Sequence, residues 1–269
     1  MKSQSLNFLR QASRRLNLLN RTTRHLSTAA TPTAESKWYV GWRKWLVAGT
    51  TGVTGYLIGS SNYPHFPHPR DAAAIQHEID TVPEYSYIYN HPFTKKLRAD
   101  PNIIESRSHD KIPLLHRDNM LTTGLLSGKG MLTVEPIVFR NKETGQCFFF
   151  YHVGTKLDGH DGIVHGGLLA TLIDEGLTRC GFPYLPSKYG VTGNLNLNYK
   201  APVHADSYIV LETSVTEVKG RKVVVKGHLH ALPENKPELS TLLVESDVVL
   251  VEPKWAKYVT WLISKDWRL

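Results

Sequence analysis

Cysteine and methionine are scarce in this chain of 269 residues, which contains two of the former and three of the latter. Cys147 and Cys180 form no Cys-x-x-Cys pair, so the sequence offers neither a disulfide framework nor a thiolate zinc site. The thirteen histidines are scattered, and pairs such as His65 and His68 have no acidic or cysteine partner at ligand spacing. We therefore expect no metal ion and no resident cofactor.

Acidic residues are absent from the first 34 positions, where six Lys and Arg residues stand. Subtracting these six charges from the formal net charge of +8 leaves +2 for residues 35–269. A nucleic-acid-binding domain should keep its basic excess in the folded part, because phosphate neutralisation supplies most of the affinity. This distribution argues against nucleic acid as a partner.

The same 34 residues have the pattern of a mitochondrial transit peptide. They are rich in Arg, Ser, Thr and Asn, and a helix would be amphipathic, with four leucines along one side: Leu6, Leu9, Leu16 and Leu19. A disordered basic tail is the alternative interpretation. We expect residues 1–34 to direct the protein to the mitochondrion.

An uncharged stretch of 19 residues follows at 45–63, with Arg43 and Lys44 before it and a proline-rich cluster after it. This length is close to the minimum for a helix that spans a bilayer. Four glycines weaken its apolar character. Residues 35–70 therefore hold a membrane helix, which would associate the protein with the inner membrane, or else a glycine-rich linker or a segment that lies on other chains.

Beyond residue 125 the pattern becomes regular. One helical segment, at about 166–180, stands among six strand-like runs: 131–140, 146–153, 191–200, 207–218, 222–232 and 241–252. This order predicts an α+β domain over residues 125–253, with an antiparallel sheet of about six strands and one central helix.

Two flanking segments are expected to be helical. Residues 71–124 should form a helical or irregular extension, with helix-like stretches at 71–79 and 91–99. Residues 254–269 should form a C-terminal helix, because apolar residues recur there at near-helical spacing.

The central helix is apolar around most of its circumference, yet it contains Asp174. A helix that is apolar all round is buried, and an unpaired buried carboxylate is costly. Asp174 therefore either has a structural partner, such as a salt bridge, or has a functional role. Glu175 follows it but projects about 100° away around the helix, so Glu175 is not the candidate base.

The residues before this acid carry a resemblance to a known family. They read Asp158-Gly159-His160-Asp161-Gly162-Ile163-Val164-His165-Gly166-Gly167, with Asp174 nine residues after His165. The pattern resembles that of the hotdog-fold acyl-coenzyme A thioesterases, in the PaaI-like branch that includes mitochondrial thioesterase-superfamily proteins. Similar segments follow at 190–192, 194–202 and 220–222, so the resemblance covers roughly residues 125–253. It implies a hotdog fold and hydrolysis of acyl-coenzyme A to a fatty acid and coenzyme A, which is then part of the substrate.

Thioester hydrolysis needs a donor for the oxyanion and a group that activates water. The first turn of a helix offers unpaired N–H groups at the positive end of the helix dipole, which makes Gly166 and Gly167, after His165, the candidate oxyanion hole. The resemblance implies that Asp174 positions or activates water and that Thr192 helps to hold it. Many relatives carry an Asn six residues before the His; here that position is Gly159.

Six residues are candidates for substrate binding. His160 would substitute for the missing Asn. Asn194 and Asn196 share one face of the strand at 191–200, which either lines a coenzyme channel or faces solvent. The cations expected to meet the phosphates of coenzyme A come from the matching segments: Lys200, Arg221 and Lys222.

Gly166 and Asp174 would lie about 12 Å apart along one helix, so they cannot act on the same small group within one chain. The resemblance implies that two chains pack their central helices antiparallel and share sites, in a homodimer or a dimer of dimers. Two other functions remain open: a non-catalytic hotdog protein that binds acyl-coenzyme A or a protein partner, and a hydratase. A hydratase should pair an acid with a His in the same helix, and no His follows His165 there.

A fusion of residues 1–34 to a fluorescent reporter should accumulate in mitochondria, because this segment has six basic residues and no acidic residue. Fluorescence microscopy against a mitochondrial dye measures the outcome. A reporter that stays in the cytosol would show that the segment is not a targeting signal.

Overall fold

The structure, a computed structural model, describes residues 72–109, 112, 114–234 and 236–256. These residues belong to the second of two compact units, which comprises residues 63–269. The expected transit peptide, the uncharged stretch at 45–63 and most of the expected C-terminal helix lie outside the described residues. None of the described helices has the length and apolar character needed to cross a membrane.

The described residues form an α+β fold in which one long helix lies against an antiparallel sheet, so the predicted fold class is confirmed. In chain order the strands are β1 Ile103–Arg107, β2 Ile137–Asn141, β3 Cys147–Val153, β4 Asp158–His160, β5 Ile163–Val164, β6 Val191–Tyr199, β7 Ser207–Lys219, β8 Lys222–Ala231 and β9 Leu242–Val251. Seven of them form one sheet, in the order β1-β2-β3-β7-β8-β9-β6, whereas β4 and β5 pair separately.

The helices are α1 Ala72–Thr81, α2 Pro83–Asn90, α3 Pro92–Ala99, α4 Leu114–Arg117 and the central helix α5 Gly166–Gly181. A single π-helical turn spans Leu121–Leu125, and 3₁₀ turns span Thr155–Leu157 and Phe182–Tyr184. The helices expected near 71–79, 91–99 and 166–180 are therefore confirmed.

Two expectations about strands need correction. The segment expected to be helical or irregular contributes β1, which pairs with β2 and makes the sheet seven-stranded rather than six-stranded. The run expected over 131–140 becomes a strand only at Ile137. Pro136 stands immediately before it, and proline lacks the N–H that a ladder requires.

The central helix packs against the inner face of the sheet, mainly over β7, β8 and β9. Its side chains Leu172, Ile173 and Leu177 are at most 1% exposed and meet inward-facing residues such as Phe149 and Leu211. This core holds α5 against the sheet.

The first three helices of the described residues, α1–α3, cover the opposite face of the same sheet. Successive residues of a strand point to opposite faces, so Phe149 of β3 faces α5 while Phe150 faces the helices. Phe150 packs with Phe139 and Phe93 there, and Ile88 of α2 belongs to the same buried cluster. Because β3 is covered on both faces, its sequence is an almost continuous apolar run rather than an alternating one.

Replacing Ile88 with Ala should lower the free energy of unfolding by about 2–5 kcal/mol, because this side chain is fully buried against the sheet. Ile104 on β1 is 49% exposed, and its replacement with Ala is the matched control, expected to cost less than about 1 kcal/mol. Urea unfolding followed by circular dichroism measures both. Equal losses would contradict a core role for α1–α3.

Candidate active site

His165 is the N-cap of α5. Its Nδ1 accepts a hydrogen bond from the Gly167 N–H at 2.9 Å, and its carbonyl accepts bonds from the N–H groups of Leu168 and Leu169. A ring nitrogen that accepts carries no proton, so this geometry assigns the proton to Nε2. The His165 N–H in turn donates to the Leu157 carbonyl at 2.9 Å, which fixes the chain where the helix begins.

The two glycines expected to form the oxyanion hole differ in their hydrogen bonding. The Gly167 N–H is engaged by the His165 side chain, whereas the Gly166 N–H makes no hydrogen bond to any described residue. Gly166 lies at the positive end of the α5 dipole, where a negative charge is stabilised. One backbone donor rather than two is therefore directly available to a substrate.

A cleft of about 540 Å³ opens at this helix N-terminus. It is lined by Gly159, His160, Ile163, Val164, His165, Gly166, Leu169, Tyr199, Lys200, Ala201, Pro202 and Val203. The structure thus brings together four of the residues expected to form the site: His160, His165, Gly166 and Lys200. Gly167 is adjacent to them on the first turn of α5.

Tyr199 was not expected to belong to the site. Its hydroxyl donates a hydrogen bond of 2.8 Å to the Gly166 carbonyl, and burial raises its pKa above the ordinary value, which keeps the donor protonated. Tyr199 stands on the apolar face of β6 in the sequence pattern. In the sequence, only its position next to the candidate residue Lys200 indicated that Tyr199 could belong to the site.

Strand β4 has no room for a side chain at Gly159. A Cβ atom there would come within 2.9 Å of the His165 Cα. The Asn that many relatives carry at this position would therefore displace the start of α5. His160, the next residue, is exposed on the cleft and remains the polar side chain available at this point.

Asp174 lies two turns further along α5, about 12 Å from Gly166 along the axis, and does not line the cleft. The Thr192 hydroxyl donates a hydrogen bond of 2.8 Å to its Oδ1. Asp174 is only partly buried. The structure therefore brings the expected acid and hydroxyl together, but it places them apart from Gly166 of the same chain.

A β-bulge gives Thr192 its orientation. The register of β6 against β9 shifts between Thr192 and Asn194, so that Gly193 is the extra residue. Thr192 pairs with Leu250 and faces α5, whereas Asn194 pairs with Val249 and faces away. Simple alternation from the sequence would have placed Thr192 and Asn194 on the same face.

Asn194 and Asn196 do not line the cleft, so their expected role in substrate binding is not supported by this placement. Leu195 and Leu197 pack against the core, and the asparagines alternate with them on the outer face of the sheet. The Asn196 side chain donates to Asp247 on β9 at 2.9 Å. The polar stripe is thus a sheet surface directed away from α5.

The three expected cations are separated within one chain. Lys200 forms an ion pair with Glu245 at 2.8 Å and follows the end of β6. Arg221 donates to the Glu252 carbonyl at 2.7 Å. Arg221 and Lys222 lie at the other end of the sheet, where Lys222 and Val191 both pair with Val251.

No metal-binding group of three or more His, Cys, Asp or Glu residues occurs within the described part of the chain. Cys147 and Cys180 are both buried, and each sulfur lies near the Gly145 carbonyl. These thiols are remote from the cleft residues in sequence and do not line it.

Comparison with known proteins identifies the family. The model of the thioesterase superfamily matches residues 161–238. A mitochondrial protein of Candida albicans, named as uncharacterized, is 46% identical over 168 residues, which cover 62% of this chain and 75% of that protein. MIOREX complex component 3 of Saccharomyces cerevisiae is 38% identical over 199 residues, covering 66% of this chain and 72% of that protein. The chain belongs to the thioesterase superfamily.

A relative with a named activity is more distant. The acyl-coenzyme A thioesterase THEM4 of Bos taurus is 28% identical over 135 residues, which cover 50% of this chain and 51% of that protein. The match is therefore limited to about half of each chain.

Replacing His165 with Ala should lower the free energy of unfolding by about 0.5–2 kcal/mol, because the Gly167 N–H loses its cap. His165→Asn should retain most of this stability, since an Asn oxygen also accepts a hydrogen bond from the first turn. Thermal unfolding compares the two variants. Equal losses for Ala and Asn would show that the cap contributes nothing.

Proposed function

We propose that this protein hydrolyses acyl-coenzyme A thioesters in the mitochondrion. The observation that carries the proposal is the placement of two candidate catalytic groups two turns apart on α5. Gly166 offers an N–H to a cleft at the helix N-terminus, and Asp174, with the Thr192 hydroxyl beside it, lies two turns further on. THEM4, which bears the name of such an enzyme, supports the substrate class.

In the proposed reaction, Asp174 and Thr192, which are hydrogen-bonded to each other, together hold a water molecule beside them. Asp174 accepts its proton as the oxygen attacks the thioester carbonyl. The negative charge that develops on the carbonyl oxygen is stabilised by the Gly166 N–H and the α5 dipole. The C–S bond then breaks, Asp174 returns the proton to the departing sulfur, and the products are the free fatty acid and coenzyme A as the thiol.

Completion of this site requires a second copy of the chain. Among the described strands β6 pairs only with β9, so its other edge is open, and an open edge of nine residues is a template for strand pairing. Antiparallel pairing of two β6 strands about a two-fold axis would place the start of one strand, with Thr192, beside the end of the other. Asp174 of one chain would thereby approach the other chain's cleft.

The exposed stripe of α5 supports the same arrangement. Gly167, Thr171, Asp174 and Thr178 are partly or fully exposed and share one side of the helix. These are small residues, which allow two helices to approach closely. Pairing through β6 would also bring the Arg221 hairpin of one chain toward Lys200 of the other, and so gather the cations proposed to meet the coenzyme A phosphates.

The mitochondrial location is proposed from the N-terminal pattern and from the relatives. The Candida albicans relative has a mitochondrial name, and FMP10 of Saccharomyces cerevisiae, 24% identical over 196 residues, is named a mitochondrial membrane protein. These matches cover 62% and 70% of this chain, respectively. Residues 45–63 would supply an anchor to the inner membrane.

One observation favours the alternative of a non-catalytic protein that binds acyl-coenzyme A or a protein partner. The Gly167 N–H is occupied by His165, which leaves a single backbone donor for an oxyanion. Loss of one oxyanion donor typically costs about 10²–10³-fold in turnover. The name of the yeast relative also refers to a complex and not to a reaction.

The purified full chain should release free thiol from acyl-coenzyme A of short, medium or long chain length. Asp174→Asn keeps the shape but removes the base, so turnover should fall by roughly 10²-fold or more. Asp247→Asn is the matched control, because Asp247 lies on the outer face of β9 and contacts Asn196, and its turnover should equal that of the wild type. Absence of thiol release at every chain length would exclude the enzyme and leave the binding protein.

A mixing experiment tests the shared site. Gly166→Val should also inactivate, because a Cβ fits beside Tyr199 but the branched side chain fills the cleft. Subunit exchange with Asp174→Asn places both lesions in one site of the heterodimer and leaves the other intact. Each heterodimer should recover about half of the wild-type turnover. If exchange restores no activity, each chain works with its own residues.

A further inference from the structure

Glu175 is a partly buried acid beside Asp174 that the proposed reaction does not use. The Thr122 hydroxyl donates a hydrogen bond of 2.9 Å to its Oε1. Thr122 is 3% exposed, so the donor end of this bond is shielded from water. Burial raises the pKa of Glu175 above its ordinary value, whereas Thr122 and the neighbouring Arg179 act in the opposite direction.

Arg179, one turn further along the same side of α5, makes a second bond to the same segment. Its guanidinium donates to the Ser108 carbonyl. Ser108 and Thr122 both lie between β1 and β2 in the chain, and the two attachment points on α5 are about 6 Å apart along its axis. One side of α5 is therefore hydrogen-bonded at two points to the segment that connects β1 and β2.

The segment that carries Thr122 is itself braced. The Arg117 guanidinium donates to the carbonyls of His109 and Ile112 at 2.6 and 3.0 Å. A Cβ on Gly124 would come within 2.6 Å of the Asp118 carbonyl oxygen, so the chain is closely packed at this turn. The Thr122 hydroxyl is thus presented from a fixed position.

The contact between Asp174 and Thr192 lies about 100° around α5 from Glu175. A helix with its side chains has a radius of about 5–6 Å, so a rotation of about 10° moves a side-chain tip by about 1 Å. A displacement of this size at a reacting group costs on the order of 10²-fold in rate. The rotational setting of α5 therefore decides whether Asp174 keeps its contact with Thr192 and its position relative to the attacking water.

We propose that Thr122 and Glu175 are positioning residues for Asp174, and that their hydrogen bond sets the rotation of α5. The catalytic consequence rests on the proposed function, because it assumes that Asp174 is the base. The rotational setting can be observed directly in a protein of any activity. Glu175 touches no reacting atom in this proposal.

Thr122→Val removes the hydroxyl and keeps the shape. We expect kcat to fall by about 10-fold with KM within about twofold, because the base is misplaced while the cleft is unchanged. Thr122→Ser should restore kcat. Thr123→Val is the matched control. It removes a hydroxyl from the same turn, but that hydroxyl donates to the Arg117 carbonyl and not to α5, so kcat should match the wild type. A loss as large as that of Thr122→Val in this control would overturn the proposal.

Glu175→Ala removes the acceptor of the same hydrogen bond. It serves as the test variant if Thr122→Val folds poorly. The double variant should lose no more kcat than the larger single loss, because both changes break one contact. Additive losses would show that the two residues act separately and would overturn the proposal.

Crystal structures of the Thr122→Val and Thr123→Val variants give a readout independent of activity. The Asp174–Thr192 separation, 2.8 Å in the wild type, should exceed 3.5 Å in Thr122→Val and stay unchanged in Thr123→Val. An unchanged separation in Thr122→Val would overturn the proposal even if activity fell. A lengthened separation in a chain that hydrolyses no thioester would support the positioning role and refute the proposed reaction.

Discussion

A helix that is apolar around most of its circumference needs cover on nearly all sides, and the sheet supplies that cover to α5 while leaving one narrow side open. Asp174 lies on that open side, so its charge avoids the full cost of burial. The neighbouring strand on that side is β6, the last strand of the sheet. The position of the acid, its contact with Thr192 and the open edge of β6 all follow from this incomplete cover.

The sequence predicts the features that depend on local pattern. The apolar periodicity indicates α5, and the alternating runs indicate most of the strands. The spacing from His165 to Asp174 identifies the region of the site through its resemblance to a family. Turn signals and periodicity are short-range properties, which explains why these features can be recognised without coordinates.

The features that the sequence does not predict depend on contacts between distant segments. β1 is a five-residue strand of mixed character whose pairing with β2 is visible only in three dimensions. Tyr199 reaches Gly166 across 33 residues of sequence, and Thr122 reaches Glu175 across 53. The asparagines of β6 form a polar row in the sequence, but only the register with β9 shows which side of the sheet they occupy.

The helical layer over the outer face of the sheet limits how this domain can be divided and assembled. The family match covers residues 161–238, yet Phe139, Phe150 and Val210 are buried by α1–α3, which lie far upstream. A fragment that began at residue 125 would expose these side chains and lose β1. A dimer of dimers would likewise need a surface other than this covered part of the sheet.

The bulge at Gly193 makes the orientation of Thr192 depend on how the strand pairs as well as on its residues. Side chains in a strand alternate, so regular pairing with Gly193 in place would turn Thr192 outward and Val191 inward. Asp174 would then lose its hydroxyl partner although every side chain of the site was still present in the chain. Deletion of Gly193 would instead leave Thr192 and Leu195 on one face of a regular strand, so at this position the loss of a residue should disturb the site less than the loss of the bulge.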